Sequence, residues 1–221
     1  MSSLQCDLSP RELGDYVIAQ LEHFFPDGRS LAILETALAP ALGRLERCIA
    51  AVKLWQPGHF DHLHSSQYCT FLYFLARELW VACEDTRVCN KLFALNKALN
   101  GLDLFYQVEL PDVFFIGHSV GIVLAKAQYG SHMVFYQNCM VGKNHGRAPS
   151  FEAGVILYPH AAVIGGCHLG RRAVLAQGAS LVDADVPADT IVFRGEGGQP
   201  CYKPARHRYL EDYFRDCPPL G

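Results

Sequence analysis

The sequence has no basic excess, no long apolar run and no closely paired cysteines, and each lack removes a class of function. The formal net charge is -3 over 221 residues, with 19 Lys and Arg against 22 Asp and Glu. A chain without a basic footprint is not built to neutralise phosphates, so nucleic acid is not an expected partner. No apolar run reaches the ~18 residues of a membrane-spanning helix, so no membrane partner is expected. The opening MSSLQCDLSPRELGDY has neither a basic n-region nor an apolar h-region. A secretory leader is therefore not expected, and the expected location is the cytoplasm. The nine cysteines are an odd count, with no CxxC pair and no zinc spacing. They fit the reduced thiols of a cytosolic protein better than a disulfide framework. HFDHLH, with His59, Asp61, His62 and His64, is dense in ligand-type side chains but matches no metal motif by spacing. No metal is expected.

What is present falls into two textures. Residues 1–100 read as a helical N-terminal domain of four to six short helices. Ser9 as N-cap, Pro10 at the first helical position and Glu12 three residues on form a capping-box signature. Leu13, Tyr16, Val17, Ile18, Leu21, Phe24 and Phe25 follow as a helical apolar stripe. The next segment is rich in Ala and Leu and is expected to be interrupted at Pro40.

From residue 101 the helix formers give way to Val, Ile, Gly and Ala. In VILYPHAAVIGGCHLGRRAVLAQGASLVDADV, branched apolar residues stand at Leu157, Val163, Leu169, Leu175 and Leu181, each six apart. Two positions before each stand Val155, Ala161, Cys167, Ala173 and Ala179. Neither a helix nor a strand has this period. A coil of hexapeptide repeats does: each six residues make one face of a triangular turn, and the large aliphatic points inward. A similar frame upstream uses Val123, Tyr129, Phe135 and Val141. Between Val141 and Leu157 the spacing is sixteen, so the register breaks. Residues 142–154 are expected to form a loop thrown out of the coil, and such loops often carry function. His160 and His168 are expected at turns. The organisation is thus α+β: the helical domain, a parallel β-helix of hexapeptide repeats over 101–195, and a C-terminal tail over 196–221.

This arrangement resembles the serine acetyltransferases of the hexapeptide-repeat acyltransferase family, which implies that the fold is a helical N-terminal domain followed by a left-handed parallel β-helix. The resemblance runs from about Phe60 to Gly195. IGHSVGIVL is similar to that family's catalytic DHATGxVxG segment, RAPSFEAGVILYPHAAVIGG to its RHPKIxEGVxIGAGAKILG segment, and VPADTIVFRG to its VPPHTxxxGxPA ending. The resemblance implies an acetyl-CoA-dependent acyltransferase of cysteine biosynthesis. It implies that His118 is the general base and that Asp103, fifteen positions earlier, orients it. Arg147, Gly117 and His145 fall on the acceptor side of the site. Gly142, Gly165, Gly178 and Lys203 fall on the acetyl-CoA side, where a backbone N–H near Gly142 would meet the thioester oxygen.

Two departures bear on the acceptor. Gly117 stands where the family has an aspartate, and Ala148 stands where it has a loop histidine, with His145 nearby as a replacement. The base and its partner are kept while the serine pocket is changed. Three readings follow: an O-acetyltransferase acting on serine or a related hydroxyl acceptor, a sugar O- or N-acetyltransferase, and a non-catalytic assembly scaffold. The resemblance also implies a homotrimer, or two trimers joined through the helical domains.

Overall fold

The computed structural model describes residues 4–27, 34–84 and 86–217. Four α-helices come first: α1 (Pro10–Phe24), α2 (Leu34–Ala51), α3 (Ser65–Cys83) and α4 (Thr86–Asn100). The capping box forms as expected: the Ser9 hydroxyl accepts from the Glu12 N–H, and the Ser9 N–H donates to the Glu12 carboxylate at 2.8 Å. Leu13, Val17 and Leu21 are the residues of the α1 stripe that are fully buried, while Phe24 is exposed. α2 runs through Pro40 without interruption. Proline removes one helical N–H, but Ala37, Ala41, Leu42 and Leu45 on either side are buried, and that packing outweighs the local cost.

The second half is a parallel β-helix of about five turns with three faces. Sheet A stacks β1 (Asp103–Leu104), β3 (Val123–Leu124), β6 (Met140–Gly142), β9 (Ala162–Ile164) and β12 (Ser180–Val182). Sheet B stacks β4 (Gln128–Tyr129), β7 (Ser150–Phe151) and β10 (His168–Leu169). Sheet C stacks β2 (Phe114–Ile116), β5 (Met133–Phe135), β8 (Ile156–Leu157), β11 (Val174–Leu175) and β13 (Thr190–Arg194), and β14 (Pro200–Pro204) closes its edge antiparallel.

Inward columns explain the period of six. On sheet A, Leu124, Val141, Val163 and Leu181 stand in register and are buried. On sheet C, Ile116, Phe135, Leu157, Leu175 and Val192 do the same. Burying each such side chain contributes about 1.5–3 kcal/mol, which is why the large apolar residue recurs once per face. Two expectations need correction. The inward residue of β3 is Leu124; Val123 points out and is exposed, because the step from that strand to Tyr129 is one residue short of six. The excursion is also shorter than 142–154: Ser150 and Phe151 already form β7, with Phe151 buried between Tyr129 and Leu169, so the loop is 143–149.

The corners also have a common chemistry. Gly121, Asn138, His160 and Gly178 form one corner column, each with positive φ, and each N–H beyond the first bonds the turn below. Gly, Asn, Asp and His tolerate this left-handed conformation best, so corner positions select them. His160 therefore sits at a corner as expected. His168 does not: it lies in β10, where its ring meets the Ser150 hydroxyl at 2.9 Å.

The tail folds back on its own chain. A 3-10 turn at Tyr209–Asp212 leads to Tyr213 and Phe214, both buried. The Arg215 guanidinium then donates to carbonyls at the end of α2, including Val52 and Trp55, each at 2.6 Å. The outer side of sheet C is thereby covered: Phe115 packs against both Trp55 and Tyr213. Sheet B is polar outside, with Gln128, Ser150 and His168. Sheet A is different. Its outer side carries Val123, Met140 and Val182, all exposed, and Ala162 and Ile164, half-buried, with the polar Asp103 and Ser180 in the same register.

The tail also carries a titratable contact. His132, at a corner with φ 60°, packs edge-on against Phe214 with ring centroids 5.0 Å apart. Both ring nitrogens are buried without a hydrogen bond, and the Asp216 carboxylate at 3.8 Å is too far to supply one. Burial pushes the imidazole below its ordinary value, and Asp216 offsets this only in part. The unfolded chain then binds the extra proton first, so stability falls as pH drops through the ordinary histidine value of about 6.5. Thermal unfolding between pH 7 and 5 is expected to show this loss. His132→Asn, which keeps a residue tolerant of positive φ, is expected to flatten that part of the profile.

Candidate active site

His118 lies directly after β2, at the corner where sheet C turns into sheet A. Its neighbours hold the turn from both sides. The Ser66 hydroxyl, at the start of α3, donates to the Gly117 carbonyl at 3.1 Å. The buried Ser119 hydroxyl donates to the Asn100 carbonyl at the end of α4, at 2.7 Å. The helical domain thus fixes the backbone at 117–119, while the imidazole itself is exposed and makes no hydrogen bond among the described residues. An accessible imidazole on a braced turn is free to exchange a proton with a bound molecule.

Asp103 sits on the outer side of β1, paired in register with Val123. Its carboxylate is held by the Lys97 ammonium at 2.7 Å, and no hydrogen bond joins it to His118. Lys97, on the last turn of α4, is thus a neighbour of the site that sequence spacing did not single out.

Gly117 has a packing reason. A Cβ there would lie 2.6 Å from the Tyr136 ring, which therefore occupies the volume that any side chain at 117 would need. Tyr136 stacks on Tyr158 at 5.6 Å, and both hydroxyls reach that of Tyr213, at 3.3 and 3.2 Å. The His118 ring lies 6.2 Å from Tyr136. Gly117→Asp is expected to cost about 1–3 kcal/mol by overpacking. Chemical denaturation of Gly117→Asp, Tyr136→Ala and the double variant should show the pair less destabilised than the sum of the singles.

The loop 143–149 leaves the coil after β6, at the corner where sheet A turns into sheet B. It is a tight hairpin: Asn144 and Arg147 exchange two backbone hydrogen bonds at 3.0 and 2.9 Å. His145 (φ 48°) and Gly146 (φ 77°) form its two-residue tip, as a type I′ turn requires. Arg147 is exposed and pairs with the Asp183 carboxylate at 3.0 Å. His118 and Arg147 therefore stand at opposite edges of sheet A. One chain does not bring them together.

The residues expected on the acetyl-CoA side are also spread out. Gly142 ends β6 and is half-buried beside the loop. Gly165 is a buried corner residue whose open side faces the Asp183 carboxylate. Gly178 is a corner glycine in the same column as Gly121, with open space around it. Lys203 lies on β14 with its ammonium 5.3 Å from the Phe193 ring. Among the described residues no three His, Cys, Asp or Glu side chains converge as a metal group would need, and no helix is long and apolar enough to cross a membrane.

No family model matches the sequence. No curated protein matches it either. Solved structures do match in fold, and they define the chain as a helical domain followed by a hexapeptide-type β-helix. A serine O-acetyltransferase from Brucella melitensis, described as a bacterial hexapeptide-repeat transferase, superposes with a TM-score of 0.68 at 19% identity, over 88% of this chain and 85% of that one. The Neisseria gonorrhoeae serine acetyltransferase in complex with serine gives 0.65 at 18% identity, over 86% and 83%. Serine acetyltransferase 1 of Entamoeba histolytica, in complex with L-cysteine, gives 0.61 at 19%, over 82% and 74%. The architecture is thus that of the serine acetyltransferases, helical domain included.

Proposed function

We propose that this protein is an acetyl-CoA-dependent O-acetyltransferase whose acceptor is serine or a related hydroxyl compound. The observation that carries the reading is His118: an exposed imidazole on a turn braced by the helical domain, in a fold shared with serine acetyltransferases. The neutral imidazole takes the acceptor's hydroxyl proton as that oxygen attacks the thioester carbonyl. A C–O bond forms, the C–S bond breaks, and the imidazolium returns its proton to the departing CoA sulfur. Such a base contributes about 10²–10⁴-fold in rate. Asp103, moving from Lys97 to the second ring nitrogen, would fix the tautomer and stabilise the imidazolium.

The working unit in this reading is a trimer. Sheet A is the face whose outer side is mostly apolar, with Val123, Met140 and Val182 exposed, Val182 at 55%. Contiguous apolar faces of this kind mark association surfaces. Three copies packed through sheet A about a three-fold axis set each copy's His118 edge against the next copy's loop edge. The acceptor then binds between His118 of one copy and Arg147 of its neighbour, with the cytoplasm as the location.

One observation favours the scaffold reading: Asp103 is engaged by Lys97. The two readings separate by measuring CoA release from acetyl-CoA over a panel of serine, homoserine and several sugars. Turnover of any hydroxyl acceptor supports the transferase, and turnover of amino sugars with amide formation would favour the N-acetyl variant. No turnover and no acetyl-CoA binding would leave a scaffold.

A further inference from the structure

The loop at 143–149 has the geometry of a stapled arm, and the staple is a residue that neither the repeat nor the resemblance singles out. Asp183 follows β12 at the corner after sheet A, with φ 49°. One carboxylate oxygen accepts the Gly166 N–H at 2.7 Å. The other accepts from the Asn144 side-chain amide at 2.8 Å and pairs with Arg147 at 3.0 Å. One carboxylate two turns along the coil therefore grips both ends of the hairpin.

The surroundings are shaped to admit it. Gly165, with φ 82°, would carry a Cβ only 2.2 Å from the Asp183 carboxylate oxygen, so any larger residue there displaces the staple. At Gly166 an added Cβ would meet the Arg147 Cδ at 3.3 Å, so the arginine stem lies flat over that turn. The Gly166 N–H first, then Asn144, with the Arg147 guanidinium adding charge, holds the Asp183 carboxyl below its ordinary value, so the staple is ionised. Asp183 pairs with one terminal nitrogen of the guanidinium, Nη2, at 3.0 Å. The other N–H groups of Arg147, which is 61% exposed, stay accessible to a ligand.

We propose that Asp183 is a positioning residue for acceptor binding: it aims Arg147 at the site that a neighbouring copy's His118 completes. This rests on the transferase reading given above. Fixed placement of a binding group is worth rate and affinity because a displacement of about 1 Å can cost as much as 10²-fold. An untethered arginine side chain would have to be ordered at each binding event.

The test is a kinetic cycle on the full-length protein, with the best acceptor from the panel: wild type, Asp183→Asn, Arg147→Ala and the double variant. Asp183→Asn is expected to raise the acceptor KM by about tenfold or more while the acetyl-CoA KM stays as in wild type. The double variant is expected to be no worse than Arg147→Ala, since the staple acts through that residue. If Asp183→Asn does not fold, Asn144→Ala removes one arm of the staple and should raise the same KM by a smaller factor. An unchanged acceptor KM in Asp183→Asn beside a raised one in Arg147→Ala would overturn this inference alone, as would additive effects in the cycle. An unchanged acceptor KM in Arg147→Ala, or no turnover of any acceptor, would overturn the underlying reading and this inference with it.

Discussion

His118→Ala is expected to slow acetyl transfer by about 10²–10⁴-fold and leave the fold untouched. The two halves of that result have separate causes. The imidazole is exposed and makes no hydrogen bond among the described residues, and the turn that carries it is held by Ser66 and Ser119 rather than by the ring. Its removal should therefore shift stability by no more than about 0.5 kcal/mol, as for an ordinary surface substitution. In the transferase reading the rate would depend on it in a different way. Without a base, the acceptor hydroxyl must lose its proton to water as it attacks, and the loss should be about 10²–10⁴-fold in kcat. CoA release and a thermal melt on the same preparation check both halves. A full rate with an unchanged melt would mean that another group takes the proton, and that His118 is an ordinary surface histidine. A lost rate with a collapsed melt would assign the ring to the structure instead.

Much of this fold was legible because its causes are local. A capping box needs only Ser9 and Glu12, three residues apart, and it forms as read. A period of six needs only that every face of the coil put one large apolar residue inside, and Leu157, Val163, Leu169, Leu175 and Leu181 do so. Misreadings arose where a distant contact outweighs a local rule. Pro40 stays helical because the residues around it are buried against the rest of the helical domain. Val123 looked like a repeat position, but the corner before Tyr129 is one residue short, and Leu124 takes the inside.

The site was legible only in part, for the same reason. His118 stands out in a sequence as an imidazole in an apolar run. The staple does not, because Asp183 meets Asn144 across 39 positions and no local pattern links the two. The tyrosine over Gly117 is equally hidden: a glycine at 117 is explained only once Tyr136 is seen in its space. The NHGR hairpin was the one loop feature with a usable signal, since a His-Gly pair suits the two positive-φ positions of a tight turn.

The opposite-edge placement of His118 and Arg147 leads to the second large effect. His118→Ala and Arg147→Ala chains, each nearly inactive alone at low acceptor concentration, are expected to recover activity when co-assembled. In the proposed three-fold ring each site would take His118 from one copy and Arg147 from the next. A site is whole when an Arg147→Ala chain supplies the histidine and a His118→Ala chain supplies the arginine, in that order around the ring. With equal amounts mixed at random, each condition is met half the time, so about a quarter of the sites are restored. Co-expression of the two variants with different tags, purification through both tags and CoA-release assay would measure it. Tandem purification selects mixed rings, each of which contains one whole site out of three, so the recovered activity should then rise to about a third of wild type. Recovery near these fractions requires the site to span two chains and the ring to close. Absence of recovery in a tandem-purified mixed assembly would place both groups' roles within single chains. That would contradict the geometry of sheet A, where the whole width of the face separates them.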